Sequence, residues 1–129
     1  MQNAQPKIFV VEDNAVFQTL ILKQLENISN DVQVFCKGET FLEELINQPD
    51  LIILDYHLDG HMNGYEVLKA LKKLPFSCPV IFFSNNLELT ITSSILKLGV
   101  IEYIEKNIFT LPRLKEAMEQ ALGAVYTKA

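Results

Sequence analysis

Five polar residues of this sequence each follow a short apolar run, and their types are suited to binding a charged ligand. Glu12 and Asp13 end the stretch "IFVVED", and Asp55 ends "LIILD". Ser84 ends "VIFFS", and Lys106 ends "YIEK". If the fold brings these residues together, they offer three carboxylates, one hydroxyl and one ammonium group in a single place.

Three carboxylates in one site would bind a metal ion. Crowded carboxylates repel each other and resist ionisation, so such a cluster makes physical sense only with a cation among them. A small site whose ligands are all oxygen atoms suits a hard divalent ion. We therefore expect Mg²⁺ beside Glu12, Asp13 and Asp55.

The elements that position these residues follow from the apolar pattern. Short runs rich in β-branched residues alternate five times with stretches of helical periodicity. The runs "LIIL" and "VIFF" are apolar throughout, which is typical of central strands in a parallel sheet covered on both faces. The predicted strands are residues 7–11, 31–36, 50–55, 79–84 and 100–105. The predicted helical stripes are Val16, Leu20, Ile21, Leu25 and Ile28, then Phe41, Leu42, Leu45 and Ile46, then Val67, Leu68, Leu71 and Leu74, then residues 87–98 and 111–122.

This alternation predicts a doubly wound α/β fold, with a five-stranded parallel sheet and helices on both of its faces. In such a sheet, right-handed crossovers bring the carboxyl ends of all strands to one edge, where ligands bind. The five polar residues are therefore expected to be neighbours.

Length and composition indicate a single domain without a membrane segment. The chain has 129 residues, about half of them apolar, which is the size of one globular core. We expect the domain at residues 7–124, a disordered tail at residues 1–6 and a short tail at residues 125–129. A net charge of −5 argues against sequence-independent binding of nucleic acid. No apolar run is long enough to span a membrane, and "MQNAQP" lacks the features of a signal peptide, so a cytoplasmic location is expected.

Four motifs, "IFVVEDN", "LIILDYHLDG", "VIFFSNN" and "YIEKN", resemble the receiver domain of two-component response regulators. The order and spacing of the motifs carry the resemblance, which extends from Lys7 to about Gly123. It implies a flavodoxin-like fold and a single-domain protein similar to the chemotaxis regulators. It also implies that Asp55 accepts a phosphoryl group, with Mg²⁺, from a sensor histidine kinase or a histidine phosphotransfer protein.

The resemblance assigns a role to each motif residue. Asp13 would bind Mg²⁺ directly and Glu12 through a water, while Asp55 and the backbone carbonyl of His57 complete the protein's share of the ligands. Ser84 and Lys106 would bind the phosphoryl oxygens, which need positive charge and positioning around them.

Three further roles concern signalling. Tyr103 would turn inward when Ser84 moves toward the phosphoryl group, and this would change contacts with an unknown downstream protein. His57 and Asn86 would position an attacking water and so set the lifetime of the phosphate. The protein would then catalyse only its own phosphorylation and dephosphorylation.

The sequence departs from the family pattern at three places. Gly64 comes one position later after Asp55 than is usual, and no proline lies between them. Asn85 follows Ser84 where a small residue is common, and Asn107 replaces the usual proline after Lys106. A cis bond before a residue other than proline costs about 2.5–4 kcal/mol. We therefore expect a trans bond before Asn107, a re-routed loop, and a Lys106 side chain that still reaches Asp55.

Other interpretations stay open. The chain is either an independent receiver or one excised from a longer regulator or hybrid kinase, or it is a degenerate receiver that binds partners without carrying phosphate. A phosphatase with an aspartate nucleophile would need a second acid where His57 stands. Each residue also has a purely structural alternative: a cap or turn for the aspartates, a loop hydroxyl for Ser84, a solvated charge for Lys106 and a half-buried edge residue for Tyr103.

Overall fold

Five strands and five helices alternate along residues 5–126, which the computed structural model describes; side chains are described for residues 5–123. The strands are β1 (Ile8–Val11), β2 (Val32–Phe35), β3 (Leu51–Leu54), β4 (Val80–Ser84) and β5 (Glu102–Glu105). The helices are α1 (Ala15–Leu25), α2 (Gly38–Glu43), α3 (Gly64–Lys72), α4 (Leu89–Leu98) and α5 (Leu111–Tyr126). Short 3₁₀ turns at Glu44–Asn47 and Ile108–Thr110 follow α2 and precede α5.

The strands form one parallel sheet in the order β2-β1-β3-β4-β5, which confirms the predicted doubly wound fold. Val11 at the end of β1 pairs with Phe35 of β2 and with Leu54 of β3. The ends of these three strands are therefore level along one edge. Because the strand order reverses between β1 and β3, the ligand-binding crevice of such a sheet lies above these two strands.

The sheet has an apolar core on each face. In β3, Leu51 and Ile53 pack on the face that also contacts α1 and α5, while Ile52 and Leu54 pack with α2, α3 and α4. Successive residues of a strand point to opposite faces, so a strand buried on both sides must be apolar at every position. This explains why "LIIL" and "VIFF" show no alternation with polar residues.

Three apolar residues of the predicted helical stripes are exposed to solvent. Ile46 is 85% exposed because it lies in the 3₁₀ turn Glu44–Asn47, whose tighter winding changes the face that each residue presents. Leu74 is 42% exposed and lies beyond the end of α3. Val16 is 64% exposed in the first turn of α1. These three residues match the helical period of the sequence but do not face the core.

The edge strands are shorter than predicted. β2 lacks the first and last residues of the predicted 31–36 strand, and β5 begins two residues late. Gly99, with φ of +96°, ends α4, and the chain needs residues 100 and 101 to enter the sheet. Ile101 N–H already bonds to the Val80 carbonyl at 2.9 Å.

Of the two predicted tails, residues 1–4 and 127–129 lie outside the described residues. Within the described part, Pro6 is buried and its carbonyl accepts a hydrogen bond from Ser29 Oγ. The last helix continues to Tyr126. None of the described helices is long and apolar enough to cross a membrane.

Candidate functional site

The five polar residues identified in the sequence meet at the carboxyl edge of the sheet, where backbone hydrogen bonds continue the strand pairing. Glu12 N–H bonds to the Phe35 carbonyl at 2.8 Å, and Asp55 N–H bonds to the Val11 carbonyl at 3.1 Å. Lys106 N–H bonds to the Ser84 carbonyl at 2.8 Å. The functional side chains are therefore carried by rigid extensions of the sheet.

Lys106 joins two of the acids. Its Nζ lies 2.6 Å from Asp55 Oδ2, and 2.9 and 3.2 Å from the two oxygens of Glu12. All three side chains are at most 5% exposed. The ring of Phe17 lies 5.0 Å from Nζ and adds a cation–π contact. Lys106 is therefore a buried cation, and its alternative interpretation as a solvated charge is wrong.

The pKa values of Glu12 and Lys106 reflect an excess of negative charge at this site. Burial and the neighbouring Asp55 charge raise the pKa of Glu12 to about 7, although Lys106 and the N–H of Asn14 act in the opposite direction. Burial by itself would lower the pKa of Lys106, but its hydrogen bonds to Asp55 and Glu12 outweigh this effect and raise it. One ammonium group therefore does not fully compensate the acids around it.

The third acid, Asp13, lies beside the other two. Oxygen atoms of Glu12, Asp13 and Asp55 lie within 4.8 Å of one another. Asp13 is half-buried, and its pKa is raised first by burial and then by the nearby charge of Asp59. These donors fit Mg²⁺, because proteins bind that ion through one or a few carboxylates and leave it several waters. The raised pKa values fit as well, since added positive charge would relieve the repulsion.

Ser84 shares a hydrogen-bond donor with Asp55. The backbone N–H of Tyr56 donates to Asp55 Oδ1 at 2.7 Å and to Ser84 Oγ at 3.3 Å. Ser84 is fully buried. Its hydroxyl therefore lies directly beside the carboxylate rather than closing its own loop.

Tyr103 is half-buried against β4. Its hydroxyl donates to the Asn85 carbonyl at 2.9 Å, and its ring stacks on Phe82 with centroids 5.6 Å apart. Burial raises the pKa of Tyr103. The hydroxyl is thus attached to the residue that follows Ser84, so a movement of that loop would alter the position of Tyr103.

The two residues expected to influence phosphate lifetime have exposed side chains. His57 lies in the loop after Asp55, with its ring edge-on to Tyr56 at a centroid distance of 5.0 Å. Asn86 lies in the loop after Ser84. Both side chains are open to solvent.

The loop after Lys106 has its own cap. The bond before Asn107 is trans, as are all peptide bonds of the described residues, and Lys106 reaches Asp55, so both expectations are confirmed. Asn107 Oδ1 accepts hydrogen bonds from Phe109 N–H and Thr110 N–H at 2.8 and 3.1 Å. Thr110 Oγ1 in return accepts from Asn107 N–H at 3.2 Å. A capping box therefore stands where the resemblance implies a proline.

Gly64 lets α3 begin directly behind Asp55. A Cβ on Gly64 would lie 2.1 Å from the Asp55 carbonyl oxygen, and Gly64 N–H bonds to the Tyr56 carbonyl at 2.7 Å. The loop between them includes Gly60, whose φ is +83°, a conformation that glycine adopts without strain. The later position of this glycine is thus compatible with the same close approach.

Sequence reasoning missed Phe17 and Glu39, which contact the site or its loop. Phe17 was detectable, because it lies four residues before Ile21 and eight before Leu25 on the face of α1 that packs against the core. Glu39 carries no such signal, since a glutamate early in a helix is common on electrostatic grounds alone.

A family model described as "Response regulator receiver domain" matches residues 8–119. A protein-glutamate methylesterase/protein-glutamine glutaminase of Clostridium acetobutylicum is 32% identical over 130 residues, covering 95% of this chain and 37% of that protein. Transcriptional regulatory protein CssR of Bacillus subtilis is 35% identical over 124 residues, covering 95% of this chain and 53% of that protein. The chain thus spans about half the length, or less, of these curated relatives.

Solved structures agree with the family match. The crystal structure of the phosphorylated cyanobacterial phytochrome response regulator RcpA superposes with a TM-score of 0.80 at 28% identity, over 98% of each chain.

Proposed function

The chain belongs to the response regulator receiver domain family, and from that premise we propose that Asp55 accepts a phosphoryl group from a phosphohistidine of a partner protein. The observation that carries the proposal is the 2.6 Å contact between Asp55 and Lys106, made beside two further acids at the carboxyl edge of the sheet. A sensor histidine kinase or a histidine phosphotransfer protein has the chemistry to be that partner.

The proposed step is a displacement at phosphorus. A carboxylate oxygen of Asp55 forms the new bond to phosphorus while the bond to the imidazole nitrogen breaks, and the electron pair returns to the imidazole. The sheet holds Asp55 in a fixed orientation, which lowers the entropy cost of in-line attack. Lys106 Nζ and the Ser84 hydroxyl would then bind oxygens of the transferred group.

The proposed ion site consists of Asp13, Asp55, the carbonyl of His57, and Glu12 through a water. A bound Mg²⁺ would neutralise charge on the phosphoryl oxygens. Glu12 and Lys106 form a buried ion pair. Through this pair, Glu12 would keep the ammonium group of Lys106 near Asp55 until the phosphoryl group arrives.

Incubation with Mg²⁺ and a small phosphodonor, followed by mass analysis of the intact protein and its peptides, tests this function. We expect one phosphoryl group per chain. A protein that takes up no phosphate would instead be a receiver that binds partners without phosphorylation. The chemistry proposed for this chain is limited to its own phosphorylation and dephosphorylation.

A second candidate is a receiver that forms part of a longer regulator or hybrid kinase. It is favoured by the partial coverage of the curated relatives, which are longer than this chain. In both cases the receiver would act by changing its contacts with a downstream protein.

We expect phosphorylation to change the face that includes α4 and β5. A phosphoryl group on Asp55 would attract the Ser84 hydroxyl through a charge-assisted hydrogen bond and move the Asn85 carbonyl that Tyr103 now binds. Amide hydrogen exchange of residues 87–98 should therefore differ between the free and phosphorylated proteins, whereas the buried strand β1 serves as the control. Equal exchange at residues 87–98 in the two forms would contradict this switch.

The exposed positions of His57 and Asn86 predict a short-lived phosphate. Each side chain can form a hydrogen bond to a water near the phosphoryl group and assist its attack. Replacing both with Ala should slow the loss of phosphate, measured by mass after removal of the phosphodonor. Asn30→Ala, at an exposed position before β2 and away from the site, is the control. An unchanged decay rate in the His57/Asn86 variant would show that these residues do not position the water.

A further inference from the structure

Glu39, near the start of α2, holds the loop that follows Asp55. Its Oε2 accepts a hydrogen bond from the backbone N–H of His61 at 2.9 Å. Its other oxygen, Oε1, is buried and has no hydrogen-bond partner among the described residues. A buried acceptor without a partner is unfavourable. Of the two carboxylate oxygens, only Oε2 is therefore paired, and its partner belongs to the loop.

Gly60 makes room for this contact. A Cβ at Gly60 would lie 2.8 Å from Glu39 Oε1, and the φ of Gly60 is +83°. Glycine adopts this conformation without the strain that other residues would experience. The carboxylate of Glu39 thus lies directly against the backbone at the turn of the loop.

The same loop is attached to the segment that follows β2. Asp59 N–H bonds to the Cys36 carbonyl at 3.0 Å, and Asp59 forms a parallel bridge with Lys37. Because β1 lies between β2 and β3 in the sheet, a loop that leaves β3 and pairs beyond β2 must pass over the end of β1. Glu12 and Asp13 lie at that end, so the loop covers the acidic cluster.

The electrostatics agree with this path. After burial, the charge of Asp59 is the largest cause of the raised pKa of Asp13, which places the loop carboxylate near the acidic cluster. The hydrogen bond from His61 N–H lowers the pKa of Glu39 and so favours its ionised form.

We propose that Glu39 is a positioning residue for the divalent ion, because it fixes the loop over Glu12 and Asp13 and thereby fixes the orientation of the His57 carbonyl. The inference rests on the proposed function, since it requires an ion at the acidic cluster. The loop has no proline to restrict its backbone dihedral angles. Ordering a flexible loop around an ion costs conformational entropy, so a contact that already fixes the loop would reduce this cost. The contact of Glu39 with His61 and Gly60 supplies that restraint.

Calorimetric titration of the unphosphorylated protein with MgCl₂ tests the inference. For Glu39→Ala we expect the dissociation constant to rise about tenfold, the lower end of the effect of removing a group that orients a metal ligand. Glu39→Gln keeps an oxygen that accepts from His61 N–H and should restore most of the affinity. Glu43→Ala removes the same charge from an exposed position on the same helix and should bind Mg²⁺ as the wild type does.

Gly60→Ala gives an independent measurement. Its Cβ would displace the Glu39 carboxylate, so it should weaken Mg²⁺ binding in the wild-type background. In the Glu39→Ala background the displaced group is already absent, so only the backbone strain at Gly60 remains, and the additional effect on affinity should be smaller than in the wild type. This non-additivity is the sign that both residues act through one contact.

The outcomes separate this inference from the proposed function. Equal Mg²⁺ affinities for Glu39→Ala and Glu43→Ala would overturn the role of Glu39 and leave the proposed function intact. A Glu39→Ala variant that has a lower melting temperature in EDTA but unchanged Mg²⁺ affinity would show a purely structural role and would also overturn it. A wild-type protein that binds no Mg²⁺ would contradict both proposals.

Discussion

Asp55→Asn is expected to abolish phosphate uptake from a small phosphodonor. The amide has nearly the shape of the carboxylate but lacks the charge and the nucleophilic oxygen that the displacement at phosphorus requires. Glu12 and Asp13 are not expected to replace it, because both are proposed to be committed to the ion, Asp13 directly and Glu12 through a water. Intact-protein mass measured after incubation with the phosphodonor and Mg²⁺ should show no added phosphoryl group.

The variant should remain folded, so the loss can be assigned to chemistry. Lys106 keeps its ion pair with Glu12, and the asparagine oxygen can still accept the Tyr56 N–H. Asp31→Asn, at an exposed position after the α1–β2 turn, removes the same charge and should take up phosphate like the wild type. Undiminished uptake by Asp55→Asn would disprove the assignment of Asp55 as the acceptor.

Lys106→Met is expected to destabilise the ion-free protein by about 3 to 5 kcal/mol near neutral pH, the range found when one partner of a buried ion pair is removed. The substitution leaves the buried carboxylates of Glu12 and Asp55 without their shared cation. A typical domain is stable by only about 5–15 kcal/mol. Urea unfolding in EDTA would measure the loss, and Lys97→Met, at an exposed position on α4, is the matched control.

The pH dependence of this loss follows from Glu12. Its pKa is raised from 4.5 to about 7, so between these values the folded protein holds a proton that the unfolded chain has released. The contribution of Glu12 to the free energy of unfolding therefore decreases as the pH rises from about 4.5 to about 7. Lys106 lowers the pKa of Glu12, so without it this decrease should extend to higher pH, and the variant should recover stability in acid.

Added Mg²⁺ should stabilise Lys106→Met more than the wild type, because the ion would replace part of the missing positive charge at the acids. A variant that is as stable as the wild type in EDTA at neutral pH would show that the pairing of Lys106 with the two acids contributes little to folding.

The fold and the residues that form the site could be predicted from the sequence, because both depend on local patterns. An apolar run such as "LIIL" at Leu51–Leu54 is typical of a strand buried on both faces. Right-handed crossovers then leave one edge at which residues after each strand can meet. Glu12, Asp55 and Lys106 are neighbours for this reason, although Glu12 and Lys106 are 94 residues apart.

The helix limits could not be predicted in the same way. Ile46 matches a helical stripe in the sequence, but α2 gives way to a 3₁₀ turn, and the residue faces solvent. The apolar period shows where a helix can bury a face but not where neighbouring elements stop covering it.

The sequence by itself thus determined which side chains lie at the carboxyl edge of the sheet, and that three of them are acids. Only the tertiary structure decided how they are paired, with Lys106 between Glu12 and Asp55 and the Glu39 carboxylate against Gly60. The physical reason is that strand periodicity and crossover handedness are properties of short segments, which the residue pattern carries. Hydrogen bonds between side chains of distant segments depend on rotamers and loop paths, which are set only when the whole domain is packed.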